Sequence, residues 1–552
     1  MNTMKKIIIY TVAALLISGL TGCKEWLDIN TNPNDPTTEQ MSEAIMLPAQ
    51  QYRILNNHVN STYAWQLSHY LTKSGEYSGN YTFLNGQVMP QNLDSWWQTY
   101  YYINWNLKYI HDLAVENEDL AYQAITEILQ VVNYQRMVDI WGDIPYSQAI
   151  NPDEYTNPVY DKAQDIYADL IDRAHTAAEM FDSIKDNYVD GGLSGVDIIC
   201  HGDLGMWSKL AYTVELRLLM RVSGVQDVKE KVNAIYTKCL GINENIEGNP
   251  GYIAQDDKMN IFFQNYGWDK NINATVNLRQ YCPTSVLVDM LRDNNDPRLR
   301  VYVDPRAELG DDVDGFANYS AHGLENEYYV GIPYGQDSPA GIERTATTGT
   351  GLLAGGSDRS AGMLRPSLFI AGSEVGFLLA EAALKGIISG DAKQYYEDAV
   401  KSAMKRHEAA MQEPSENFQN YLSTGPITGM KPPITGTAEE AAEAYLSQRG
   451  SQFNWDELDT DEEKMNAICS QKWLAFMGYN PMEAWFEQRR TDLPVLPASY
   501  QGLRRNQNFC ILPYPQTERN LNMANIPYEA DIYSTLVFWD KENPTVPETN
   551  RY

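Results

Sequence analysis

Hydrophobic residues recur at helical spacing over much of the chain. Two segments follow the three-four spacing of an amphipathic helix most clearly. Their positions are Trp207, Leu210, Ala211, Val214 and Leu218, and then Val375, Leu378, Leu379, Ala382 and Ala383. The second segment is followed by Gly386, Gly390 and another helical face, which predicts a helix-turn-helix pair. We therefore predict an all-α dominated fold with further helix pairs at about residues 97–140 and 162–220. No fixed repeat length is evident, so helical repeats are compatible with the pattern without being demonstrated.

The helical signal fades between about residue 240 and residue 365, where glycine, asparagine, aspartate, proline and tyrosine are frequent. This composition predicts a loop-rich insert. Long ordered loops on a helical scaffold are common places for binding residues, so we expect ligand contacts in the insert. No low-complexity linker divides the chain, and we interpret residues 23–552 as one domain that follows a signal peptide at residues 1–22.

The first 23 residues have the pattern of a bacterial lipoprotein signal. Lys5 and Lys6 precede a mostly apolar run over residues 7–20, and the sequence Leu-Thr-Gly-Cys then ends at Cys23. The run is too short to span about 30 Å of hydrocarbon as a helix, so a cleaved export signal is favoured over a transmembrane segment. We expect cleavage after residue 22 and lipidation of Cys23, because a group with more than one acyl chain anchors a protein stably.

The chain is strongly acidic. It has 73 aspartates and glutamates against 42 lysines and arginines, and loss of Lys5 and Lys6 with the signal peptide would change the net charge from −31 to −33. Such a charge repels nucleic acid and anionic lipid headgroups, so we expect neither as a partner. A neutral ligand is favoured. The cysteines other than Cys23 show no CxxC spacing, which favours free thiols and leaves one disulfide pair open.

The usual marks of nucleophilic, zinc-hydrolytic and nucleotide chemistry are missing, because the sequence contains no GxSxG, HExxH or P-loop motif. We therefore expect neither an enzyme nor a cofactor. A glycoside hydrolase stays an alternative, since its two carboxylates cannot be located from sequence. Asp311, Asp312 and Asp314 resemble the start of a calcium loop, but no glutamate closes it, so a solvated acidic turn is favoured over structural calcium.

Aromatic residues indicate the class of ligand. The chain has 37 tyrosines and 12 tryptophans, and such amphipathic rings are typical of recognition surfaces. A ring packs on the C–H face of a sugar while polar side chains bind its hydroxyls, so aromatics among loop amides predict a carbohydrate site. The candidate ligand-binding residues are Tyr77, Asn80, Tyr81, Phe83, Tyr266, Trp268, Tyr328, Tyr329 and Tyr334. The aromatic cluster from Trp96 to Tyr109 has helical spacing and is expected to pack in the core.

Six motifs occur in order along nearly the whole chain. They are the LDINTNP segment at 27–33, DIWGDIPY at 139–146, the helical segment 207–221, NDPRL at 295–299, the segment 374–382, and YPQTE at 514–518. Together they resemble the SusD/RagB family, and within it SusD-like lipoproteins. The resemblance implies a scaffold of tetratricopeptide-like helix pairs with a loop-rich ligand-binding lobe, and no catalysis.

The resemblance also implies a location and a partner. SusD-like proteins lie at the outer membrane and pass captured oligosaccharides to a SusC-type TonB-dependent transporter, as part of polysaccharide utilization and nutrient uptake. Lys24 and Glu25 after the cysteine are similar to signals for surface exposure. Peptide capture by a RagB-like scaffold is the main alternative, and a structural role in assembling the transporter is another.

Overall fold

The computed structural model describes residues 41–57, 59–74, 83–304, 329, 331–336, 347–356, 358–413 and 434–547. The predicted signal peptide, Cys23 and the acidic turn predicted at residues 311–314 lie outside the described residues.

Helices dominate the described residues. In chain order they are α1 (Glu43–Asn56), α2 (Thr62–Leu67), α3 (Asp94–Glu116), α4 (Leu120–Trp141), α5 (Ala163–Ile184), α6 (Leu204–Val222), α7 (Lys229–Ile235), α8 (Ile261–Tyr266), α9 (Val276–Gln280), α10 (Ser285–Asp293), α11 (Leu299–Tyr302), α12 (Thr350–Ala354), α13 (Arg359–Leu364), α14 (Gly372–Leu384), α15 (Ala392–Lys405), α16 (Glu408–Gln412), α17 (Ala438–Leu446), α18 (Asp461–Phe476), α19 (Pro481–Thr491) and α20 (Gln516–Leu521). The prediction of an all-α dominated fold is confirmed.

The long helices pack as consecutive pairs. Helix α4 lies between α3 and α5, α5 also packs on α6, and α14 pairs with α15 as α18 does with α19. The two segments with the clearest helical spacing are α6 and α14, and these two helices also contact each other. Helix α14 further packs on α18, so it joins the first half of the chain to the last.

The strands are short and form four antiparallel pairs within the described residues. They are β1 (Leu71–Lys73) with β5 (Tyr281–Pro283), β2 (Ile144–Pro145) with β3 (Tyr160–Asp161), β4 (Asn245–Gly248) with β8 (Ser367–Ala371), and β6 (Val303–Asp304) with β7 (Thr347–Thr348). The first and third pairs tie the insert to the scaffold. Between residues 240 and 304 the chain contains only short helices and strands.

Buried apolar residues form two clusters. One fills the space among α1 and α3 to α6, and the other packs the insert against α15, α17 and α18. The cysteines in the described residues are free and buried, which confirms the expectation of free thiols there: Cys200, Cys239, Cys282, Cys469 and Cys510.

A network of buried ion pairs runs through the centre of the scaffold. Its nine side chains, four cations and five carboxylates, are each at most 9% exposed. They come from five helices: Asp139 on α4, Arg217 and Arg221 on α6, Glu374 and Glu381 on α14, Lys472 on α18, and Glu483, Glu487 and Arg490 on α19.

Charge-assisted hydrogen bonds connect the network. Arg217 binds Glu374 through two bonds, with Nε to Oε1 at 2.6 Å and Nη2 to Oε2 at 3.0 Å. Arg221 contacts Glu483 and lies 3.1 Å from Glu487. Burial alone would raise the pKa of Glu487, but its cationic neighbours outweigh burial and hold that pKa well below its ordinary value. Glu487 is therefore ionised, and its charge is compensated by Arg221, Lys472 and Arg490.

We expect Arg217→Met to lower the free energy of unfolding by about 3–5 kcal/mol, because it leaves Glu374 buried without its cation. Lys231→Met is the control, since Lys231 and Asp172 form an exposed pair at 2.9 Å and such pairs contribute about 0–1 kcal/mol. Urea unfolding followed by circular dichroism measures both. Equal shifts in the two variants would contradict the role of the network.

Candidate functional site

The structure places the described candidate aromatics inside the protein. Phe83, Tyr266, Trp268, Tyr329 and Tyr334 are 1–4% exposed. The other four candidates, Tyr77, Asn80, Tyr81 and Tyr328, lie outside the described residues.

The buried rings pack against other aromatics and cations. Trp268 lies 5.6 Å from Phe263 between ring centroids, and Arg359 lies over its ring at 4.2 Å. Tyr334 packs on His69 at 3.9 Å. These rings offer no face to a ligand, so the expectation of an exposed stacking platform is not met by them. The physical reason is that the loops of the insert bury their own aromatic rings to form a core. The polar residues beside a ring in the sequence do not show whether that ring points to the core or to solvent.

A different set of aromatics lines an open groove of about 550 Å³, which we call the aromatic groove. Its walls are the second half of α1, the turn that follows, the start of α2, and the first turns of α3. The lining residues are Tyr52, Arg53, Asn56, Asn57, Asn60, Ser61, Thr62, Tyr63, Asn92, Ser95, Trp96, Thr99 and Ile261.

The scaffold fixes the α1 wall of the groove. The buried Arg136 of α4 donates to the carbonyl oxygen of Ile54 at 2.9 Å, within the turn that carries Arg53 and Asn56. Asn56 Nδ2 donates to the Tyr52 carbonyl at 2.9 Å. These bonds hold the polar lining in place before any ligand arrives, which reduces the entropy lost on binding.

The rings of the groove are supported from below. Tyr63 stacks on the buried Phe83 at 4.0 Å with an interplanar angle of 20°. The Trp96 ring lies 6.4 Å from the Tyr63 ring and is tilted by 60°. Phe83, one of the sequence candidates, is thus a support for the groove rather than part of its surface.

An exposed aromatic continues the groove along α3. Tyr102 is 52% exposed, and the guanidinium of Arg53 lies over its ring at 4.6 Å. Trp105 is 49% exposed on a neighbouring face of α3. The expectation that the cluster from Trp96 to Tyr109 is core holds for Trp97 and Tyr100 but is wrong for Tyr102 and Trp105.

The sequence contained a signal for these exposed rings. The buried stripe of α3 includes Trp97, Tyr100, Leu107 and Ile110. At 100° per residue, Tyr102 and Trp105 fall on the far side of the helix from this stripe. Phase within the helix, rather than aromatic density, separates the exposed Tyr102 and Trp105 from the buried Trp97 and Tyr100.

The charge of the groove differs from that of the whole chain. Among the described residues that line it there is one arginine and no aspartate or glutamate, in a chain with 73 acidic residues. The lining otherwise consists of rings, amides and hydroxyls. Such a surface stacks on the C–H face of a sugar and binds its hydroxyls.

The lining does not support acid-base catalysis. Retaining and inverting glycosidases both use a pair of carboxyl groups, and the described lining residues include none. In the described part of the chain, no group of three histidine, cysteine, aspartate or glutamate side chains is placed to hold a metal ion. The rings, amides and hydroxyls of the described lining suit a neutral polar ligand.

Comparison with known proteins defines the class. Residues 33–515 match a SusD-like family model described as starch-binding and associating with the outer membrane. The chain belongs to this family, whose members are binding proteins of the outer membrane. No curated protein matches the sequence.

Solved structures show the same fold. A SusD homologue from Bacteroides fragilis has a TM-score of 0.67 at 19% identity, over 91% of this chain and all of that one. A homologue from Bacteroides uniformis has a TM-score of 0.66 at 19% identity, over 90% and 99% of the two chains. A chitin-binding SusD homologue from Flavobacterium johnsoniae has a TM-score of 0.64 at 18% identity, also over 90% and 99%.

No helix in the described ranges combines the length and the apolar character needed to cross a bilayer.

We expect Trp268→Ala to lower the free energy of unfolding by about 3–5 kcal/mol, because it empties a buried site of a large ring. Trp105→Ala is the matched control on an exposed tryptophan, with an expected change below about 0.5 kcal/mol. Chemical denaturation compares the two variants with the unmodified protein. A Trp268→Ala protein of unchanged stability would place that ring on the surface after all.

Proposed function

We propose that this protein is an outer-membrane lipoprotein that captures a neutral oligosaccharide in the aromatic groove and delivers it to a SusC-type TonB-dependent transporter. The observation that carries the proposal is the groove itself, in which Tyr63, Trp96 and several amides surround a volume of about 550 Å³ without an acidic side chain among its described residues. Rings supply stacking area, and amides supply both donors and acceptors for hydroxyl groups.

The shape of the groove favours a glycan over a peptide. Peptides are commonly captured by adding a strand to an exposed sheet edge. The described walls of the groove are helices and turns, and the short strands of the described ranges pair with one another elsewhere. Peptide capture by a RagB-like scaffold would have to use side-chain contacts alone.

The N-terminal sequence and the family support the proposed anchor and partner. Lipidation of Cys23 would hold the protein at the outer membrane, and the family model is described as associating with that membrane. A surface-exposed binding protein is useful when its ligand is too large to diffuse through the membrane, so a dedicated transporter is the partner we propose. The ligand leaves the protein uncut, because the described lining offers no catalytic carboxylate pair.

We expect Trp96→Ala and Tyr102→Ala each to weaken oligosaccharide binding roughly tenfold, since each removes a stacking ring. Isothermal titration against a panel of neutral oligosaccharides measures the effect. Chitin oligosaccharides belong in that panel because a structural relative is chitin-binding. Tyr77 and Tyr81 stay predicted contacts, and Tyr81→Ala is tested in the same series.

Trp105→Ala is the control, because it removes an exposed tryptophan from the same helix outside the groove. Chromatography of the recovered ligand tests for cleavage. Absence of binding to every neutral oligosaccharide would oppose the proposal, as would an equal loss in the control. Recovery of shortened sugars would favour the glycoside hydrolase instead.

A further inference from the structure

A second, smaller cavity adjoins the aromatic groove. Its volume is about 130 Å³, and we call it the arginine cavity because Arg365 and Arg406 both line it. It lies where the start of α8, the segment before β8, the end of α15 and the turn between α18 and α19 meet. Ile261 lines both the cavity and the groove, so a single side chain belongs to both walls.

The two arginines have backbone partners but no carboxylate partner. Arg365 Nη1 donates to the carbonyl of Leu352, and Arg406 Nη2 donates to the carbonyl of Ala475 at 3.0 Å. Arg406 Nη1 is buried with no hydrogen-bond partner. In the described part of the chain, neither guanidinium comes within 4.0 Å of an acidic oxygen.

The other polar groups of the cavity do not supply the missing negative charge. Tyr479 is 8% exposed, and its hydroxyl has no partner among the described residues. The Nε2 atom of His407 lies 3.3 Å from Arg406 Nη2. Burial, and then the positive charge of Arg406, hold the pKa of His407 well below its ordinary value, so this imidazole is neutral.

Glu247 is the one carboxylate among the described lining residues. It is exposed at the rim and forms no salt bridge with either arginine. Its charge raises the pKa of Arg365, but burial and Arg406 outweigh it and lower that pKa to about 10. The arginine pair is therefore under-compensated.

Arg365 and Arg406 are partly buried. A desolvated charge without a countercharge is costly, and a like charge nearby adds to that cost. An anion that enters the cavity would reduce both costs, namely the missing countercharge and the repulsion between the two arginines. A guanidinium presents a planar fork of donors that matches the two oxygens of a carboxylate. The volume admits a group of that size or several water molecules.

We propose that the arginine cavity is a subsite for the carboxylate of an acidic sugar unit, whose neighbouring units lie in the aromatic groove. The inference rests on the proposed function and extends it: the groove holds uncharged parts of the sugar chain, and an acidic unit of the same chain reaches past Ile261. A free carboxylate is the other source of the same chemistry. In a chain of net charge −31, such a local positive site is what makes an anionic glycan an acceptable ligand.

The first experiment uses acetate as the probe. Thermal unfolding of the purified protein is compared in sodium acetate and sodium chloride at equal ionic strength and pH 7. We expect a saturable rise of the midpoint with acetate, since a ligand that binds only the folded state stabilises it. Arg365→Gln and Arg406→Gln should each weaken acetate binding roughly tenfold to a hundredfold.

Arg449→Gln is the control, because Arg449 is an exposed arginine outside the cavity. Circular dichroism in chloride checks that each variant is folded. If Arg406→Gln does not fold, Arg406→Lys replaces it, because lysine keeps the positive charge but lacks the planar fork of donors. Absence of a saturable acetate effect, or an effect that persists in the cavity variants, would overturn the proposal.

The second experiment identifies the source of the carboxylate. Titration compares oligogalacturonates with their methyl esters, which keep the sugar chain and remove the charge. We expect the acids to bind at least tenfold more tightly, and the difference to vanish in Arg365→Gln and Arg406→Gln. Two results would reject the sugar subsite and assign the cavity to a free carboxylate. In one, the acids and the esters bind equally. In the other, neither binds although acetate still binds in a way that depends on the two arginines.

The two proposals fail separately. The proposed function depends on Trp96 and Tyr102 and is read with neutral oligosaccharides, whereas acetate binding is read without any sugar. Binding of neutral oligosaccharides without acetate binding would leave the groove in place and remove the carboxylate subsite.

Discussion

The buried ion-pair network is the constraint on which the rest of the structure depends. It joins α4, α6, α14, α18 and α19, so residues far apart in the sequence must meet with matched charge for the helices to pack. A purely apolar interface would tolerate sliding of one helix along another, but a carboxylate that binds an arginine through two bonds does not. Arg136 extends this ordering to α1 through its bond to Ile54, and α1 forms one wall of the aromatic groove.

The groove and the arginine cavity share one property: both lack the excess of acidic side chains that the whole chain has. The described lining of the groove has no acidic side chain, and the cavity holds two arginines that form no salt bridge with the described residues. Other buried arginines are of two kinds: Arg217 and Arg298 bind carboxylates, whereas Arg136 and Arg489 donate to backbone carbonyls. Arg365 and Arg406 also donate to backbone carbonyls, but they line a cavity in which the proposed carboxylate would supply the missing negative charge.

The loop aromatics show where sequence reasoning fails. Tyr266, Trp268 and Tyr334 lie among polar residues in the sequence, yet each ring is almost fully buried. An irregular segment has no periodicity from which to infer the direction of a side chain. Helix α3 has that periodicity, and its phase separates the buried Trp97 and Tyr100 from the exposed Tyr102.

The sequence by itself determined the helical fold class, the positions of α3 to α6, α14 and α15, the loop-rich composition of residues 240–365 and the resemblance to SusD-like proteins. These properties are local, because helical spacing and short motifs are visible in neighbouring residues. Only the tertiary structure decided which aromatics face solvent, and that Arg365 and Arg406 share one cavity. Both outcomes depend on contacts between separate segments of the chain, as when Tyr63 stacks on Phe83 and Arg406 donates to Ala475 near the end of α18. Local spacing does not encode such contacts, because they form only when separate helices and loops pack together.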